Sequence, residues 1–181
     1  TGMIRATAGH TTISTPIAIH HEAERYDLRI NVKDLAGAPT GRYQTTVIGL
    51  DHPSFDFPHD PDGSFTLRLP PGQYIVDTFV LTGDEAAPRY HMLPYPALTL
   101  DRDTTIDVDA RATKPVRVTP PDPAATLVLG DVGYQMQRGD LPFGQSLQVS
   151  DLDMVRIGHL GPALPAETFT ARVNTQWTVP G

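Results

Sequence analysis

Cysteine is absent from the 181-residue chain. That excludes disulfides, thiolate nucleophiles and cysteine-ligated zinc. It does not fix a compartment, because many secreted bacterial proteins lack cysteine altogether. Lysine is nearly absent too: Lys33 and Lys114 are the only two, within a formal net charge of -7. This balance argues against a nucleic-acid surface, which needs clustered Lys and Arg, and against a polybasic membrane patch. No apolar run approaches the roughly 20 residues of a membrane span. No charged-then-apolar leader opens the chain. Thr1-Gly-Met-Ile reads instead as mid-strand, and the expectation is a segment of something longer. No amphipathic helix, repeat or low-complexity tract is visible.

What is abundant is turn chemistry, with Pro 18 and Gly 15 alongside 39% hydrophobic residues. Such a composition suits short strands joined by tight turns, so the expected class is all-β, built as Greek-key β-sandwich modules. Asp60-Pro-Asp-Gly-Ser-Phe-Thr-Leu-Arg-Leu-Pro-Pro-Gly-Gln-Tyr-Ile-Val-Asp77 organises the rest. Asp62-Gly63 is a turn dipeptide, since glycine accepts positive φ. Phe65, Leu67 and Leu69 alternate with Ser64, Thr66 and Arg68, the period of a half-buried strand. Pro70-Pro71-Gly72 ends that strand, and Tyr74, Val76, Thr78 and Val80 leave it as a return strand. The stretch therefore reads as a β-hairpin.

Three segments follow from the punctuation. Residues 1–24 read as the closing hairpin of a preceding sandwich, ending at the charged joint His21-Glu-Ala-Glu-Arg25. Residues 25–119 form a complete sandwich, opening with the alternation of Tyr26, Leu28, Ile30 and Val32. Arg89 to Tyr95 within it reads as an irregular crossing, ahead of short strands at 97–100 and 105–109. Pro120-Pro-Asp-Pro123 is a stiff linker. Residues 120–181 are a further β-rich module whose remainder is expected beyond the chain.

Candidate chemistry is sparse. Asp51, His52, Asp56, His59, Asp60 and Asp62 form the densest polar cluster. Carboxylates in a Gly-containing loop suit calcium, with Asp56, Asp60 and Asp62 as its ligands, and the two histidines suit zinc. The spacing matches neither an EF-hand nor a helical His pair. Prolines at 53, 58 and 61 favour the plainer reading of a stiff, solvated loop. His20-His21-Glu22 resembles a metal corner, but adjacent strand residues point to opposite faces. Asp101, Asp103, Asp107 and Asp109 are read as a solvated edge. Ser54, Ser64, Ser146 and Ser150 sit in no Gly-x-Ser-x-Gly elbow. Lys33 is a candidate for a covalent cross-link of the adhesin kind, and Glu85-Ala-Ala-Pro88 resembles the acidic segment of such domains. Alternation from Val32 points it to solvent, however. Trp177 is read as a core or domain-packing residue.

Ile13-Ser-Thr-Pro-Ile-Ala-Ile-His-His-Glu-Ala-Glu-Arg-Tyr-Asp-Leu-Arg-Ile-Asn-Val-Lys-Asp-Leu-Ala-Gly-Ala-Pro39 resembles the junction between fibronectin-like modules that follows the catalytic domain of large actinobacterial subtilisin-like serine peptidases. Leu69-Pro-Pro-Gly-Gln-Tyr-Ile-Val76 is similar to carboxypeptidase-regulatory and transthyretin-like sandwiches. Ile106-Asp-Val-Asp-Ala-Arg-Ala-Thr-Lys-Pro-Val-Arg-Val118 resembles the strand and exit that close such a module. The resemblance spans roughly residues 1–118. It implies a secreted, extracellular multidomain endopeptidase, of which this chain is a non-catalytic accessory region. Its partners would be the peptidase domain of the same parent chain, a protein substrate or a cell-wall polymer. None of the family's triad motifs occurs here, so the resemblance assigns no catalytic residue; the calcium candidate rests on the loop carboxylates alone. The alternative is a structural or adhesive extracellular sandwich, calcium-dependent or not, with no enzyme attached.

Overall fold

A computed structural model describes residues 2–17, 23–120, 122–138 and 141–179. The chain is all-β. Among the described residues the only helical turns are two three-residue 3₁₀ turns, Ala110–Ala112 and Leu152–Met154.

Strands β1 (Gly2–Ala8) and β2 (Thr11–Ile17) make an antiparallel hairpin from Gly2↔Ile17 to Ala8↔Thr11. Its side chains are exposed. The sandwich begins with β3 (Tyr26–Lys33), β4 (Tyr43–Gly49), β5 (Ser54–Asp56) and β6 (Ser64–Leu69). It continues with β7 (Gly72–Thr82), β8 (Arg89–Leu100) and β9 (Thr104–Asp109). After β10 (Lys114–Pro115) come β11 (Thr126–Arg138), β12 (Leu141–Val149), β13 (Val155–Ile157) and β14 (Phe169–Thr178).

One outer sheet has the order β6-β3-β9, the middle sheet β10-β13-β8-β7-β4-β5, and the other outer sheet β12-β11-β14. Pairing is antiparallel except for β3 with β9 and β13 with β8. The alternation of β3 buries Leu28, Ile30 and Val32 against Val76, Val80, Leu93, Leu98 and Val108, which is the first core. A second core lies on the opposite face of the middle sheet. There Ile48, Ile75 and Met92 meet Val132, Tyr134, Met136 and Val149 of the third sheet.

The middle sheet is thus buried on both faces, and this explains its sequence. Strands covered on two sides read as near-continuous apolar runs rather than alternations. Tyr74, Ile75 and Val76 are all buried in succession. The segment after residue 120 supplies the third sheet, and it also sends β13 back into the middle sheet beside β8.

Two local expectations are corrected. β6 and β7 are not a hairpin: β6 pairs with β3, while β7 pairs with β4 and β8. Pro70 and Pro71 bring no amide hydrogens to extend a ladder, so the chain crosses from one sheet to the other. Tyr74 pins that crossing by donating its hydroxyl to the Pro70 carbonyl at 2.7 Å. The stretch from Arg89 to Tyr95 is not irregular either, because it belongs to the continuous strand β8. The register slips between Tyr74 and Val76, where Val76 faces Tyr95 but Tyr74 faces Leu98. That irregularity absorbs Pro96 without ending the strand. The Asp62-Gly63 turn forms as expected, with Gly63 at φ 75. A Cβ there would lie 2.6 Å from the Thr40 amide nitrogen.

Candidate functional site

The Asp- and His-rich loop leading to β6 is organised by one tyrosine. Tyr43 comes from β4, and its hydroxyl accepts from the Asp60 amide at 2.8 Å and donates to the Asp60 carbonyl at 3.2 Å. The His59 ring stacks on Tyr43 with centroids 4.9 Å apart, and its Nε2 lies 2.9 Å from the Gly41 carbonyl. Asp60 Oδ1 accepts from the Asp62 amide at 2.8 Å, a turn-stabilising bond. Asp51 Oδ2 accepts from the Gln73 amide at 2.8 Å, joining the loop to the start of β7. Asp56 sits on β5 opposite Val47. Among the described residues no three or more His, Asp or Glu side chains gather as a metal ion would require.

The other sequence candidates are dispersed. Asp101 pairs with Arg102 at 3.0 Å, and Asp103 Oδ1 accepts from the Asp27 amide at 2.9 Å. Asp107 and Asp109 are both held below the usual carboxylate range, Asp107 first by the Asn31 amide and Asp109 first by the Arg111 guanidinium. Lys33 Nζ approaches Asp107 Oδ2 at 3.3 Å across the parallel β3–β9 pair, a partly exposed ion pair. Glu85 lies in an exposed loop. Trp177 is half-buried on β14 and donates its indole N–H to Thr175 Oγ1 at 2.9 Å. His20-His21-Glu22 falls outside the described residues.

Two buried polar groups escaped the sequence reading. The first is Asp77, whose alternation on β7 with Ile75 and Phe79 aims it into the second core. It is 1% exposed, and neither carboxyl oxygen has a hydrogen-bond partner among the described residues. Its polar neighbour is the equally unpartnered Tyr134 hydroxyl of β11. Burial pushes the Asp77 carboxyl up to about 6, with the Tyr134 hydroxyl pulling the other way. Burial and the facing carboxylate push the Tyr134 phenol up as well. A neutral acid at this place costs less than a charged one.

The second is His91 of β8, fully buried between two threonines. Its Nδ1 is 2.7 Å from Thr113 Oγ1 and its Nε2 is 2.8 Å from Thr82 Oγ1. Thr113 donates its one hydroxyl proton to the Ala110 carbonyl at 2.7 Å. His91 Nδ1 must then be the donor to Thr113, which leaves Nε2 to accept from Thr82. Burial foremost, then the Arg156 charge, holds the imidazole below its ordinary value. Arg156 of β13 closes the group, donating Nε to Thr113 Oγ1 at 3.3 Å and Nη2 to the Thr113 carbonyl at 2.9 Å. These bonds tie β13 to the exit of the sandwich.

An apolar cleft of about 470 Å³ opens at one end of the second core. Phe79, Leu81 and Tyr90 of the middle sheet line one side and Leu147 of β12 the other, with Arg42 and Gln44 at the opening. No protein-family model and no curated protein matches this chain.

Proposed function

We propose that the chain is a non-catalytic accessory region of a secreted, extracellular subtilisin-like serine endopeptidase, spacing or stabilising the enzyme or holding its protein substrate. The observation that carries the reading is the middle sheet, whose two buried faces join the sandwich and the third sheet into one stiff body. A spacer or platform needs that stiffness. The carboxylates of the loops support the same view, since Asp34, Asp60, Asp84, Asp122 and Asp151 each accept a nearby backbone amide. The link to a peptidase rests on the resemblance of residues 1–118. Two experiments test it. A fluorophosphonate serine probe is expected to leave the chain unlabelled, and a labelled serine would contradict the reading. The coding frame around the segment in its source is expected to encode an Asp, His, Ser catalytic domain with a signal peptide.

An adhesive sandwich with no enzyme attached is the second reading. It draws on the approach of Lys33 Nζ to Asp107 Oδ2 at 3.3 Å. An amide formed between these groups would expel one water, so an intact mass one water below the sequence mass would favour this reading. Repeated sandwiches and a wall anchor in the same frame would do so too.

A further inference from the structure

The sheets around the two cores treat their edges unequally. β5 has three residues and β10 two, the latter ending in Pro115. β9 carries Asp107 and Asp109, and β6 carries Arg68, whose carbonyl accepts from Arg25 at 3.1 Å. β14 carries Arg172. Short length, proline and charge are the usual devices that stop an edge from pairing with another chain. The nine-residue β12, Leu-Pro-Phe-Gly-Gln-Ser-Leu-Gln-Val, has no charge and only Pro142 near one end. It is an edge strand, and it borders the apolar cleft. No residue of β11 or β14 lines that cleft, so the opening lies on the outer side of β12.

We propose that the free edge of β12 and the adjoining cleft bind an extended segment of another protein by strand addition. A bulky apolar side chain of that segment enters between Phe79, Leu81, Tyr90 and Leu147, and a carboxylate meets Arg42. Main-chain hydrogen bonds to an edge supply affinity in such complexes, and pockets for alternate side chains supply selectivity. The carboxylate follows from charge complementarity. Arg42 is exposed, gives one N–H to the Gly83 carbonyl at 2.6 Å, and is the one charged residue among those lining the cleft. A second copy of this chain fits less well, because a formal net charge of -7 opposes self-association. The proposal rests on the reading of the chain as a protein-contacting accessory region.

The test is a displayed random heptapeptide library panned against the intact chain. The enriched peptides are expected to pair a large apolar residue with Asp, Glu or a free C-terminus. Gln44→Trp, at an exposed position on the cleft, is expected to weaken their binding by about tenfold or more through filling the space. Arg42→Gln is expected to weaken acidic peptides about tenfold and their amide counterparts little. Unchanged melting temperatures of both variants would show that the fold is intact. Three results would overturn the proposal: no enrichment over bare support, enrichment indifferent to Gln44→Trp, or a dimer whose amide protection is confined to β12. None of these bears on labelling by the serine probe, so the proposal and the accessory reading fail separately.

Discussion

Replacing Asp77 with asparagine should stabilise the protein at neutral pH and leave it nearly unchanged in acid. The carboxyl is buried with the Tyr134 hydroxyl as its polar neighbour, and burial pushes it up from 3.8 to about 6. A rise from 3.8 to about 6 amounts to about 3 kcal/mol. The sign follows from proton binding. Below pH 4 the acid is neutral in both states and no penalty arises. Between pH 4 and 6 the unfolded chain has already released its proton while the folded one retains it, so stability falls as pH rises. Above pH 6 the full penalty applies. Asparagine is nearly isosteric and never ionises, so Asp77→Asn should gain about 3 kcal/mol at pH 7, or roughly 6 to 12 °C for a chain of this size. His91, Asp107 and Asp109 titrate in both proteins and cancel in the difference. Urea unfolding of both proteins at pH 4 and pH 7 measures the effect. Equal or lower stability of the variant at pH 7, with the wild-type pH slope retained, would refute the argument.

Thr113→Val removes the hydroxyl that receives His91 Nδ1 and Arg156 Nε, and should cost about 1 to 3 kcal/mol in chemical denaturation. Folding holds the His91 imidazole below its ordinary value, so this group's contribution is present above about pH 6.5 and declines as pH falls below it. A His91→Gln variant should lose that part of the acid dependence, measured as ΔG of unfolding between pH 7 and pH 5. Met92→Ala opens a void on a fully buried side chain of the second core and should cost about 2 to 5 kcal/mol by urea titration. Gly63→Ala forces a side chain into positive φ against the Thr40 backbone, and a lowered melting temperature of several degrees is expected.

The strands with one wet face were legible in the sequence. Leu28, Ile30 and Val32 alternate, and the structure buries those three. The turn at Asp62-Gly63 was equally plain, because its chemistry is local. What Pro70 and Pro71 do was not plain: turn residues announce a reversal but not whether the two strands share a sheet. The second core was hidden for a related reason. In Tyr74-Ile-Val-Asp77, alternation favours Tyr74 and Val76, and Asp77 reads as a polar surface residue. Only the third sheet, brought over Ile75 and Asp77 from more than fifty residues away, buries that face. A run of apolar residues in place of alternation was the available signal. β13 has three residues and pairs in parallel with β8, so no periodicity could reveal it. The carboxylates of the Asp51 to Asp62 loop stood out by density. Three-dimensional placement puts Asp51 and Asp60 on backbone amides.

The middle sheet, buried on both faces, joins the sandwich and the third sheet into one body. Trp177, the sole tryptophan, lies on β14 and reports the third sheet. A urea titration followed by Trp177 fluorescence, with hydrogen exchange of the β3 amides in parallel, tests the claim directly. Coincident transitions with one midpoint are predicted, since loss of either core exposes a face of the same sheet. A Trp177 transition complete at urea concentrations where β3 amides remain protected would contradict it and make the third sheet an independent module.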